Sequence, residues 1–381
     1  MTLTMKAVLF SGGAAEPQIS PVQVRRPRAG EVLVRMTAAG VCHSDLHVLN
    51  GDWPFDHRIA LGHEGAGVVA EAGEGSDLAP GDQVVLSWYA PCGHCAACVE
   101  GQSWLCAESG AITNGLPDGT TPLTVTDGKE ARPYLGVGTF SEYTLVPRSA
   151  VVKIPKEVPA PVAALIGCSI ATGIGAVLNT ADVRAGQTAV VVGAGGVGQA
   201  IVLGLKLAGA SRIIAVDLSA DRLQIAKELG ATDLVLASDS DAVAQVRAAA
   251  GGEGVDFAFD AIGVPKVTAG MPDYLKSGGA LVLVGMPARD AESVIKPWQL
   301  IVRGQRILGC NYGSSRPQVD FVKIARLYLS DQLPLDLMVG ECIPQERAVE
   351  AVRSLTAPAG KRKIVEFASP GETSLPTSPK S

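Results

Sequence analysis

The stretch "TAVVVGAGGVGQAIVLGLKLAGASRIIAVD", residues 188–217, decides the fold. An apolar run ends at Val192, and Gly193, Gly195 and Gly198 follow in the pattern G-x-G-x-x-G. Glycines at this spacing permit a tight turn, let the backbone approach a pyrophosphate, and allow the next helix to pack closely on the strand. The positive end of that helix then faces the phosphates. Asp217 ends the following strand, 19 residues after Gly198, where a carboxylate can hold the hydroxyls of an adenosine ribose. The same period continues. "LVL" at 234, "FAFDA" at 257, "ALVLVG" at 280 and "RILGC" at 306 supply further short strands. Segments such as "SADRLQIAKELG", with Ser219 as N-cap, supply helices between them. Six such strands predict a doubly wound parallel sheet binding NAD.

The remainder of the 381 residues is of a different character. All five histidines precede residue 95, and six of the eight cysteines precede residue 169, which separates a metal-bearing half from a dinucleotide-bearing one. "PCGHCAACVEGQSWLC" places Cys92, Cys95, Cys98 and Cys106 at the spacing C-x2-C-x2-C-x7-C. Four thiolates complete a tetrahedral zinc shell and leave no open position, so the predicted site is structural. Redox and iron–sulfur readings are the rivals. A net charge of −6 offers no basic footprint for nucleic acid or an anionic membrane. The N-terminus carries no secretory pattern, and no run is read as approaching membrane-spanning length. A reducing cytoplasm is the expected compartment, and stable disulfides are not expected there. The Pro- and Ser-rich tail from about residue 369 is expected to be disordered.

A second group of ligand-type residues lies in "GVCHSDLH", residues 40–47, and "GHEGAG", residues 62–67. A catalytic zinc takes about three protein ligands and keeps one position open. Cys42 and His63 are the first candidates. Spacing alone does not choose the third among Cys168, Cys310 and Cys342.

Taken together, "GVCHSDLH", "GHEGAGVV", the four-cysteine loop, "GCSIATG" and "VVGAGGVGQA" resemble the zinc-dependent medium-chain alcohol dehydrogenases in order and spacing, to about residue 367. The resemblance implies that Cys168 is the third ligand, that Glu64 stands beside the metal as a neighbouring or alternative ligand, and that Asp45 orients the His63 imidazole. Cys310 and Cys342 match no ligand position and are read as small core residues. The implied architecture is α/β. A GroES-like catalytic domain of bulged antiparallel strands comprises residues 1–169 and 312–381, and a Rossmann domain spans 170–311.

By the same resemblance, Ser44 bonds the substrate oxygen and passes its proton through the cofactor ribose to His47, a side-chain type that titrates in the neutral range. His43 contacts the pyrophosphate, as Arg362 in "GKRKIVEF" is expected to do. Thr172 and Val197 pack at the nicotinamide, Val284 and Gly196 are further cofactor-binding positions, and Arg222 lies near the adenosine ribose. The expected reaction is reversible hydride transfer between an alcohol and NAD, with two zinc ions per chain. The long stretch from Ala107 to Leu135 resembles dimeric members and "NGDWP" resembles tetrameric ones, so a homodimer and a homotetramer are both expected forms. Trp53, with Trp88 or Tyr89, is expected to wall a narrow pocket suited to primary alcohols from ethanol-sized to benzyl-sized. Glutathione-dependent formaldehyde and polyol dehydrogenases are the alternative readings. The former usually carry an acidic residue where Trp53 stands and lack a histidine at the place of His47.

Overall fold

The computed structural model describes residues 2–368 apart from 14, 240 and 357–359. The expected tail from residue 369 lies outside the described residues.

The glycine-punctuated half forms a six-stranded parallel sheet. Its spatial order is Asp233–Leu236, Arg212–Asp217, Thr188–Val192, Val255–Asp260, Leu275–Leu283, Arg306–Gly309. The first strand in sequence thus sits at the centre, and the order reverses beside it. Such a reversal opens a crevice at the carboxyl ends of the strands, where dinucleotides bind. Gly193 has φ +95°, and a Cβ there would lie 2.5 Å from Ile262. At Gly198 a Cβ would lie 1.8 Å from the Gly193 carbonyl oxygen, so only glycine lets the helix Gly196–Ala208 start this close to the strand. Ser219 caps the helix Ala220–Leu229, its hydroxyl accepting from the Arg222 N–H.

The other half is built from a small closed barrel and a curved sheet. Along the sheet, Glu31–Gly40 pairs antiparallel with Glu64–Ala72, with register breaks at Leu33/Val34 and Met36/Ala38. These bulges bend the strands. Arg362–Glu366, near the end of the described chain, pairs with the other edge of Glu31–Gly40, so the two ends of the sequence build one body.

The helix Ala160–Thr180 joins the halves. It is long and apolar enough to cross a membrane, which corrects the reading that no run approaches that length. Its apolarity has another cause: 78 % of its most apolar window is buried, because the helix packs against both domains. A Cβ on Gly167 would lie 2.6 Å from the Leu86 carbonyl oxygen, and one on Gly173 would lie 2.5 Å from Ala200 in the glycine-turn helix. One hydrophobic core runs through it, from Ala38 and Ile364 on one side to Val191 and Ala215 on the other.

Candidate active site and metal centres

Strand register brings the first metal group together. Gly40 pairs with Glu64, so Cys42, two residues beyond one strand, lies beside His63, one residue before the other. Cys42 begins the helix His43–Asn50, and its N–H donates to Asp45 Oδ2 at 3.2 Å. The other oxygen of Asp45 accepts from the Gly62 N–H at 3.2 Å and pairs with His63 Nδ1 at 3.3 Å. Asp45 is 0 % and His63 1 % exposed. This contact fixes the ring and leaves Nε2 buried with no hydrogen-bond partner among the described residues. Cys168 enters from the central helix. The ligand atoms of Cys42, His63, Glu64 and Cys168 lie within 4.8 Å of one another. A buried imidazole nitrogen with no partner among the described residues, beside two thiols, fits the donor set that a catalytic zinc takes.

The charges point the same way. The Cys168 thiol donates to Cys42 and, with Arg362 and His63 nearby, draws the Cys42 thiol well below its ordinary range; Cys168 is driven the opposite way. Burial pushes the Glu64 carboxyl up to about 7, although Arg362 opposes this. Arg362 forms a buried ion pair with Glu64 Oε1 and covers the glycine turn, where a Cβ on Gly196 would lie 2.7 Å from its Nε. Arg362, the arginine expected at the pyrophosphate, thus stands between the metal group and the dinucleotide turn.

The second group fits zinc as its spacing implies. The four Sγ atoms of Cys92, Cys95, Cys98 and Cys106 lie within 4.8 Å of one another, and every cysteine is free of disulfides. The Cys92 N–H points at Cys106 Sγ and the Cys95 N–H at Cys92 Sγ, both at 3.3 Å. The His94 and Cys95 N–H groups hold the Cys92 thiol down to about 7. Desolvation and the neighbouring thiols push Cys98 up to about 12. Four thiols held this close cannot all ionise without a cation among them, because each thiolate repels the next.

The remaining sequence candidates are placed as follows. Ser44 Oγ lies 3.8 Å from Cys42 Sγ. His47 Nδ1 pairs with Asp52 Oδ2 at 2.7 Å, and its ring stacks on Trp53 with centroids 4.9 Å apart. The Trp53 indole N–H donates to the Pro287 carbonyl at 3.2 Å, across the interdomain cleft. Trp88 stands 4.3 Å from Tyr312, whose hydroxyl bonds the residue preceding Cys168. The Tyr89 hydroxyl is held by Ser109 and Asn311, on the side of the four-cysteine loop. Asp217 Oδ2 accepts from the Ala194 N–H at 2.7 Å and Oδ1 from the Ser219 N–H at 2.9 Å, with Arg222 3.9 Å away. His43 is exposed, Thr172 and Val197 are half-buried, and Val284 is buried at the end of its strand. Cys310 is buried and accepts from Thr180 Oγ1. Cys342, read as a core residue, is exposed instead, because its side chain falls on the outer face of the strand Val339–Pro344.

Sequence reasoning missed three residues. Asp52 lies five residues after His47 across the Gly51 turn, a local signal that was available. Tyr134 bonds the Ser44 carbonyl at 3.1 Å and meets the His63 ring edge-on, and Tyr312 reaches the central helix. Neither tyrosine has a signature in the chain.

These features define a dehydrogenase built from a dinucleotide domain and a metal-bearing domain. Residues 28–156 match the alcohol dehydrogenase GroES-like domain, and residues 196–329 match the zinc-binding dehydrogenase domain. The chain is 36 % identical to an alcohol dehydrogenase class-3 of Cereibacter sphaeroides over 92 % of this chain and 96 % of that protein. It is 36 % identical to the S-(hydroxymethyl)glutathione dehydrogenase of Paracoccus denitrificans over 84 % of this chain and 88 % of that protein. Among solved structures, the benzyl alcohol dehydrogenase of Acinetobacter calcoaceticus superposes with a TM-score of 0.88 at 30 % identity, covering 96 % of this chain and 100 % of that one. The chain belongs to the zinc-dependent medium-chain alcohol dehydrogenase family. It is an NAD-dependent oxidoreductase with zinc as its metal.

Proposed function

We propose that this enzyme interconverts compact primary alcohols and their aldehydes, using NAD. The observation that carries this reading is the buried group of Cys42, His63 and Cys168, placed beside a dinucleotide crevice and two fixed indoles. Zinc held by those three residues would supply the charge that makes an alcohol hydroxyl acidic near neutrality, and NAD would accept the hydride. The chain's own residues then handle the proton. Ser44, whose backbone carbonyl accepts from the Tyr134 hydroxyl, accepts it. His47, whose Nδ1 is held by Asp52, delivers it to solvent through Nε2. Replacing His47 with Gln should slow alcohol oxidation most near neutral pH, with partial recovery as base or buffer carries the proton instead. A pH–rate profile that overlays the parent's would remove His47 from the relay.

Trp53 is held by its stack on His47 and its bond to Pro287, and Trp88 by Tyr312 and Tyr89. Rings fixed at two or more points leave little room for bulk, and each methylene that does fit contributes about 0.8 kcal/mol. The Asp217 carboxylate, fixed by two backbone N–H groups, stands where a 2′-phosphate would meet a like charge. Such a contact costs several kcal/mol, which is roughly a hundredfold or more in kcat/KM. One panel tests both points: ethanol, benzyl alcohol, cyclohexanol and S-hydroxymethylglutathione, each assayed with NAD and NADP. Benzyl alcohol and ethanol with NAD should lead. Preference for the glutathione adduct would favour the second reading, which the Paracoccus denitrificans relative supports; preference for cyclohexanol or parity between cofactors would oppose the pocket or the Asp217 role.

The active form is a homo-oligomer joined at the dinucleotide sheet. No strand among the described residues pairs with the outer edge of Arg306–Gly309, and the helix before it exposes Trp298 at 79 % and Ile301 at 77 %. Apolar side chains this exposed, beside an unpaired strand edge, mark an interface. Light scattering should give the mass of two or four chains; a single-chain mass at assay concentration would refute the interface.

A further inference from the structure

The central helix departs from regular geometry where it carries Cys168. It is α-helical from Ala160 to Leu165 and π-helical from Ile166 to Ile170. It returns to α from Ala171 to Gly175 and widens again from Ala176 to Thr180. A π turn inserts a residue, loosens the regular hydrogen-bond ladder and frequently coincides with a functional position. Backbone carbonyls in such a turn are open to partners from outside the helix.

Those partners come from one segment, residues 310–315. The Tyr312 hydroxyl donates to the Gly167 carbonyl at 2.5 Å, one residue before Cys168, and lies 3.3 Å from Ser87 Oγ. The Ser315 hydroxyl donates to the Ala171 carbonyl at 3.3 Å, one turn further along. The backbone that presents them is held in an uncommon shape: Tyr312, Gly313 and Ser314 have φ of +53°, +67° and +47°. Consecutive left-handed residues with a Cβ are unfavourable for L-amino acids and persist only where the surroundings impose them. Here Asn179 donates to the Gly313 and Ser314 carbonyls, and Thr180 bonds Ser314. A Cβ at Gly313 would lie 2.4 Å from the Ala171 carbonyl oxygen, so the segment lies directly on the helix. At its other end the Cys310 N–H donates to Leu283, in the dinucleotide sheet.

We propose that Tyr312 is a positioning residue for Cys168. Its hydroxyl fixes the Gly167 carbonyl within the π turn, and so sets where the Cys168 thiolate meets the metal. The ring itself is wedged between Trp88 and Phe321 and is 3 % exposed, so the hydroxyl has one place to go. The inference rests on the reading of Cys168 as a metal ligand.

The test uses the full-length protein with cobalt(II) in place of zinc, which makes thiolate ligation visible. Tyr312→Phe keeps the ring and removes only the hydroxyl. We expect a shifted thiolate-to-cobalt absorption band and loss of the catalytic metal to a chelator at least ten-fold faster than in the parent, with the four-cysteine metal released at the parental rate. Ser315→Ala, which removes the neighbouring carbonyl contact from the same segment, should leave both readouts near the parent's. A parental spectrum and release rate in Tyr312→Phe would overturn the proposal, as would an equal change in Ser315→Ala. Failure of the ligand reading would show differently: the parent and Cys168→Ser would then share one cobalt spectrum.

Discussion

Replacing Cys168 with Ser should lower the metal content from about two zinc ions per chain to about one and cut kcat/KM on the order of a thousandfold, while the fold survives. A serine hydroxyl does not ionise at neutral pH and is a poor zinc ligand, so Cys42 and His63 are left with two-thirds of the donor set. The loss of transition-state charge stabilisation is several kcal/mol, and each 1.36 kcal/mol or so is tenfold in rate. Serine is close to cysteine in size, and the Cys168 side chain faces the metal group and is not a member of the apolar cluster that its helix neighbours Ile166 and Ile170 join. Circular dichroism should therefore match the parent. Zinc analysis by mass spectrometry and steady-state kinetics decide the matter: two zinc ions with parental activity would remove Cys168 from the site.

Cys95→Ser should act on stability instead. The loop from Cys92 to Cys106 contains only the four-residue helix Ala96–Val99 and the single turn Ser103–Leu105. So little regular structure cannot hold a shape by backbone hydrogen bonding, and the metal must supply the crosslink. The loop also leans on the rest of the molecule. Cys106 is buried, Asn311 donates to the Trp104 carbonyl at 2.8 Å, and Ser103 bonds the Ser315 carbonyl. Structural zinc binding is worth on the order of 10 kcal/mol in isolated peptides, and losing even part of it should lower the melting temperature by about 10 °C or more. Zinc should fall to about one ion per chain, while the remaining folded molecules keep catalytic metal and turn over. An unchanged melting temperature with two zinc ions would sink the assignment.

The two experiments separate two centres that were unequally visible in the sequence. The four-cysteine loop could be read from spacing because its ligands fall within fifteen residues, and a few backbone turns determine where their sulfurs meet. The glycine turn was equally legible. Gly193 and Gly198 answer local demands, a positive φ and a contact with a carbonyl five residues back. Alternation of apolar runs and helical segments likewise sufficed for the six parallel strands and for Ser219 as a cap.

The catalytic centre was not legible in the same way. Cys42, Cys168, Cys310 and Cys342 are alike as letters, and only the packing of the central helix against the bulged sheet brings Cys168 to His63, buries Cys310 elsewhere and turns Cys342 to the surface. The apolar run from Ala160 to Thr180 contains two π turns, which side-chain type does not encode because it does not say which carbonyls lose their regular partners. The contacts of Arg362 with Glu64, Trp53 with Pro287, Tyr134 with Ser44 and Tyr312 with Gly167 join residues from 90 to 298 positions apart. Short-range geometry is set by the bonds between neighbouring residues and is written in spacing. Long-range geometry is set by which surfaces exclude water together, and that is decided only when the sheets and the helix between them close.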